Sequence, residues 1–236
     1  MMADRDKDEG RPFTRRPLIY GRAKGKALSP RQKKLFAEVL PRIAVPTDAP
    51  LDPYTLFTDV TAVHLEIGFG GGEHLCARAA EHPDIGFIGC EPFLNGVAKT
   101  LAAVEEQQLL NIRIHHGDAR DVLDALAPAT LDRVYLLYPD PWPKARQNKR
   151  RFVGSDTLES LARVIRPGKI LEVASDIPDY IDWTQREISK DGHFLETDAS
   201  KASHDTPPPG WPGTRYEAKA IREGRTPCYL EFERRA

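Results

Sequence analysis

The sequence predicts an α/β fold: a mostly parallel sheet covered by helices on both faces. Three observations predict it. From residue 62 onward, short apolar runs alternate with amphipathic segments of helical period, the pattern of consecutive βα units. A length of 236 residues suits one large α/β domain and is short for two independent ones. No apolar run approaches the roughly 20 residues of a membrane span.

Each element follows from its own pattern. Residues 1–28 are charged, rich in Gly and Arg and without apolar periodicity, and they predict a mobile basic arm ahead of a single domain over 29–236. "SPRQKKLFAEVLPRI" reads as a helix with Ser29 as N-cap, Pro30 at the first helical position, and Leu35, Phe36, Val39 and Leu40 on one face. Strands follow at "AVHLEIG", "GFIGCE", "NIRIHHGDA", "DRVYLLYPD" and "KILEVASD". The helices between them are "EHLCARAAEH", "NGVAKTLAAVEEQQ", a short one near "DVLDAL", and "SDTLESLARVI", closed by "RPGK". "PDYIDWTQREISK" is the next helix. The tail adds "HFLETD" and "PCYLEFERR", two strands expected to close the sheet as an antiparallel hairpin and to bring it to seven. The segment between those two starts too rich in Pro and Gly to be core.

Composition narrows the class. Hydrophobic residues make up 40% and charged residues 29%, ordinary for a soluble globular chain. The N-terminus lacks a signal-peptide core. Cys76, Cys90 and Cys228 are odd in number and widely spaced, which argues against both a disulfide framework and a zinc site, and a cytoplasmic protein is expected. The seven histidines show no metal spacing, so no metal is expected. A net charge of −1 hides an asymmetry: no acid occurs from Gly10 to Ala37, where nine cations crowd together. A second cluster holds Lys144, Arg146, Lys149, Arg150 and Arg151. Either cluster alone reads as a solvated surface; two in an acid-rich chain read as a nucleic-acid footprint.

The first βα turn, Glu66-Ile67-Gly68-Phe69-Gly70-Gly71-Gly72, allows a ligand close to the backbone and to the N–H groups of the next helix. A glycine turn alone does not separate a nicotinamide cofactor from S-adenosylmethionine. Glu66 favours the second, because a carboxylate there would oppose a pyrophosphate and suit an ammonium and a sulfonium. Glu91, ending the second strand, is placed for ribose hydroxyls, and Asp118, after the third, for the adenine amino group. Each acid alone reads equally as a helix N-cap or a surface turn; three at successive strand ends, with the glycine loop, point to one ligand edge.

"YPDPWP" ends the fourth strand at the same edge. Asp140 precedes a proline and should be extended and stiff, whether as a site carboxylate or as a turn former. Trp142 suits either stacking on a base or packing. Asp176, ending the fifth strand, could hold a base or cap the following helix.

The motifs "LEIGFGGGEHL", "GCEP", "YPDPWPKARQNKRRF", "VASD" and "WPGTRYEAKAIREGR", in this order, resemble those of bacterial tRNA (guanine-N7)-methyltransferases over about residues 15–235. The glycine loop is common to many methyltransferases; "DPWPKARQNKRR" and "TRYE" are specific to this family. The resemblance implies a Rossmann-like class I methyltransferase fold and S-adenosylmethionine as methyl donor. It implies that the donor is held by Glu66, Gly68, Gly70, Glu91, Asp118 and Asp140, with Asp140 also at the reaction centre. Lys144, Asp176, Thr214, Arg215, Tyr216 and Glu217 would contact substrate. Arg146, Gln147, Asn148, Lys149, Arg150 and Arg151 would meet RNA. The implied partner is tRNA, methylated on a guanine of the variable loop, with no membrane and no obligate protein partner; a monomer and a homodimer are equally compatible.

Overall fold

The computed structural model describes residue 23, residues 25–48 and residues 50–236. Most of the arm expected over residues 1–28 therefore lies outside the described residues.

Seven strands form one sheet: β1 (Ala62–Ile67), β2 (Ile85–Cys90), β3 (Ile112–His115), β4 (Leu131–Leu137), β5 (Ile165–Ser175), β6 (Phe194–Glu196) and β7 (Cys228–Arg234). Their order is β3-β2-β1-β4-β5-β7-β6. The first five pair in parallel, and β7 runs antiparallel to both β5 and β6. The helices are α1 (Pro30–Glu38), α2 (Leu40–Ile43), α3 (Glu73–Glu81), α4 (Leu94–Gln107), α5 (Ala119–Ala125), α6 (Ser155–Val164), α7 (Pro178–Asp191), α8 (Asp198–Ala202) and α9 (Arg215–Arg222). Among the described residues no helix is long and apolar enough to cross a membrane.

Strand alternation splits the core in two. Val63, Leu65 and Ile67 of β1 join Val134 and Leu136 of β4 on one face, under α5, α6 and α7. Phe87 of β2, Ile112 and Ile114 of β3, and Tyr135 and Leu137 of β4 meet α1, α3 and α4 on the other. Each fully buried aliphatic side chain in such a layer contributes roughly 1.5–3 kcal/mol relative to exposure. Ser29 caps α1 as expected, in a capping box with Gln32.

One segment differs from the sequence reading. "RPGK" does not end a helix: β5 starts at Ile165 and runs through it, with a register shift against β4 between Leu131 and Arg133. The basic stretch Ala145–Arg150 is a 3-10 helix. The antiparallel β6–β7 pair closes the sheet as expected, with α8 and α9 in the segment between its strands.

Candidate active site

The carboxyl ends of β1, β2, β3 and β4 open onto a cleft of about 430 Å³, the edge at which open α/β sheets bind ligands. The glycine loop forms its floor. Gly68, Gly70 and Gly72 have φ of 74°, 57° and 74°, a region that side chains with a Cβ resist. A Cβ on Gly68 would meet nothing within 4 Å, so the backbone there faces open space. Gly96, in the first turn of α4, packs so closely that a Cβ would fall 2.1 Å from the Gly70 carbonyl oxygen.

Glu91 ties this loop to β2. Its Oε2 accepts from Gly70 N at 2.7 Å and its Oε1 from Phe93 N at 2.8 Å. Burial raises its pKa, and the two N–H groups and the Arg215 charge oppose that rise. Each oxygen keeps a lone pair for a ligand hydroxyl. Asp118 lines the cleft while capping α5: its Oδ1 accepts from Arg120 N at 3.0 Å, and the Arg120 guanidinium pairs with both oxygens. For Asp118 the capping and ligand-facing readings therefore coexist.

Glu66 stands at the end of β1. It is buried behind the cleft wall, which begins at Ile67, and its Oε2 accepts from His74 Nδ1 at 2.7 Å. The His74 ring in turn packs on Tyr135 and Trp211. Strand pleating turns the Glu66 side chain onto the sheet face opposite Leu65 and Ile67, at the base of the loop.

Asp140 lies exposed at the cleft mouth, and no described residue donates a hydrogen bond to its carboxylate. Tyr138 and Trp142, two residues to either side, have φ of 50° and 43°, rare for bulky side chains and costing on the order of 1–3 kcal/mol each. Trp142 lines the cleft and carries the Arg150 guanidinium 5.0 Å from its ring centroid.

Of the remaining residues expected to meet substrate, Tyr216 lines the cleft, with its ring against Gly70. Arg215 stacks on that ring at 4.8 Å. Thr214 Oγ1 accepts from Glu217 N as the N-cap of α9. Glu217 makes internal contacts: its oxygens accept from Trp211 Nε1 (2.6 Å), Thr214 N (3.2 Å) and Tyr229 Oη (2.7 Å). Asp176 is held by an ion pair with Arg225, and the N-cap of α7 is Ile177. Lys144, Arg146 and Lys149 are exposed, Gln147 and Asn148 half-buried. Arg151 is 4% exposed and faces inward.

Cysteine chemistry finds no support. Burial pushes the Cys76 thiol up to about 12 and Cys228 up to about 11, far from the thiolate a nucleophile needs. Among the described residues no group of three or more His, Cys, Asp or Glu could hold a metal ion.

The model of a family described as putative methyltransferase matches residues 60–230. A tRNA (guanine-N(7)-)-methyltransferase of Mesorhizobium japonicum is 50% identical over 96% of this chain and 99% of its own. The chain belongs to that methyltransferase family. A second relative of the same name, from Paracoccus denitrificans, is 47% identical over 95% of this chain and 98% of its own. In fold, the chain is similar to the 16S rRNA methyltransferase KamB, at a TM-score of 0.52 and 16% identity, covering 75% of this chain and 90% of that one. A methyltransferase needs a methyl donor, and the motifs of the glycine loop imply S-adenosylmethionine. The three left-handed glycines, the open space above Gly68 and the Glu91 carboxylate fit such a ligand.

Proposed function

We propose that the chain methylates N7 of a guanine in the variable loop of tRNA, with S-adenosylmethionine as donor. The observation that carries this reading is the position of Asp140. It is a carboxylate flanked by prolines, with no hydrogen-bond donor to it among the described residues, at the mouth of a donor-shaped cleft and beside exposed cations.

When bound, S-adenosylmethionine supplies a methyl group on a sulfonium centre. Gly68, Gly70, Glu91 and Asp118 would hold it, with Asp140 facing its reactive end. Guanine N7 carries an in-plane lone pair and no proton, so its methylation needs no general base. Positive charge then grows on the purine. The Asp140 carboxylate orients the base through its N–H edge and stabilises that charge, without reorganising at the moment of reaction. Tyr216 supplies a wall over the glycine loop, and Trp142 a flat aromatic surface opposite.

Asp140→Asn keeps the shape and removes the charge. It is expected to lower kcat about 100-fold, the scale of one preorganised electrostatic contact, while tRNA affinity stays at the wild-type value. Single-turnover methylation with a parallel tRNA-binding titration checks this; a full-rate variant would sink the assignment.

A further inference from the structure

We infer that Arg151, although it ends the basic run, is a positioning residue for the Asp140 loop and makes no contact with RNA. The inference rests on the reading of Asp140 given above.

The Arg151 side chain is 0% exposed. Its Nε donates to the Pro141 carbonyl at 2.9 Å, one residue beyond Asp140. Its Nη1 donates to the Asp179 carbonyl at 3.3 Å, and its Nη2 pairs with the Asp179 carboxylate in the first turn of α7. The guanidinium also lies 5.0 Å from the Trp183 ring centroid and 5.6 Å from that of Tyr180. Arg150, its neighbour, points the other way, onto Trp142 at the cleft mouth.

The loop needs such a support. Pro139, Pro141 and Pro143 have no N–H to donate, so residues 139–143 have few means of bracing themselves. Yet Tyr138 and Trp142 both sit in the left-handed region, where bulky residues persist only if their surroundings over-determine them. The start of the loop is pinned by Tyr138 N donating to the Ala174 carbonyl at 2.7 Å. Arg151 pins its far side. A planar fork with several fixed donors joins a carbonyl on one element to a carboxylate on another in one set geometry; the compact ammonium of lysine, on its flexible stem, lacks that span and that fixed geometry.

The test compares Arg151→Lys, Asp140→Asn and the double variant with the wild-type chain, for kcat, KM for tRNA and the salt dependence of binding. Arg151→Lys should lower kcat about 100-fold, the effect of a misplacement of about 1 Å. KM and the slope of log affinity against log salt should not change. Because Arg151 acts through Asp140, the double variant should be no slower than the slower single one. A flattened salt slope with kcat intact, or losses that multiply in the double variant, would overturn the proposal. If Arg151→Lys does not fold, Asp179→Asn takes its place: reduced kcat with an unchanged slope supports the proposal, and unaltered kcat overturns it. Full-rate Asp140→Asn would overturn the Asp140 reading alone, while the kcat and slope of Arg151→Lys would still report whether Arg151 supports the loop or meets RNA.

Discussion

His64 is neutral in the folded chain because burial, aided by the nearby Arg133 charge, lowers its pKa from 6.5 to about 3. Its Nδ1 lies 3.1 Å from the Tyr135 hydroxyl, on the same sheet face as Glu66. Unfolded, the ring takes a proton below about pH 6.5; folded, it refuses that proton until about pH 3. Stability from this group is therefore complete above pH 6.5 and is lost as pH falls through that window, at about 1.4 kcal/mol per unit. His64→Gln should flatten the fall of Tm between pH 7 and pH 5, and an unchanged slope would refute the assignment. At this scale the sequence was legible where a side chain stands at a strand end: the glycines, Glu91, Asp118 and Asp140 all reach the cleft. It was not legible where a charge turns inward. Arg150 and Arg151 are identical neighbours in the sequence, and only packing separates the cleft-facing one from the buried one. Glu217 offered a missed signal, since Thr214-Arg215-Tyr216-Glu217 has the capping-box spacing that the structure uses to start α9.

Elements are held in register by close backbone approaches, and one lies between α4 and the glycine loop. A Cβ at Gly96 would meet the Gly70 carbonyl at 2.1 Å, and backbone cannot swing aside as a long side chain can. Gly96→Ala should cost about 1–3 kcal/mol of stability, the usual range for overpacking, and should weaken S-adenosylmethionine binding because the loop must shift. Gly154→Ala is the matched control: its φ of −170° suits any residue and a Cβ there meets nothing within 4 Å. Thermal melts with calorimetric donor titrations check the pair, and equal affinities for the donor would contradict the proposed loop contact. The strands and most helices were legible because two clean periods, 2.0 and 3.6, mark them. "RPGK" misled because Pro and Gly usually end an element, whereas here β5 absorbs them, with Gly168 at φ 76°. Helix α9 was hidden behind the proline-rich lead that precedes it.

At the scale of the described molecule, a run of exposed cations flanks the cleft edge of the sheet. Exposed Lys144, Arg146 and Lys149 sit on the 3-10 helix region that follows the Asp140 loop. On the other flank, the Asn95 amide of α4 clamps the chain, accepting from Gly25 N and donating to the Lys26 carbonyl, both at 2.8 Å. Phe93, beside that clamp, lines the cleft. If these flanks grip phosphates, replacing Lys144, Arg146 and Lys149 by Gln should reduce the salt slope of tRNA binding by about one per lost contact. An unchanged slope would return those cations to an ordinary solvated surface.

The most direct test of the account is to incubate the purified chain with S-adenosylmethionine and an unmodified tRNA transcript, digest the RNA and identify the nucleosides by mass. The account predicts N7-methylguanosine, mapping to the variable loop. A different methylated nucleoside, or none while the tRNA stays bound, would contradict it.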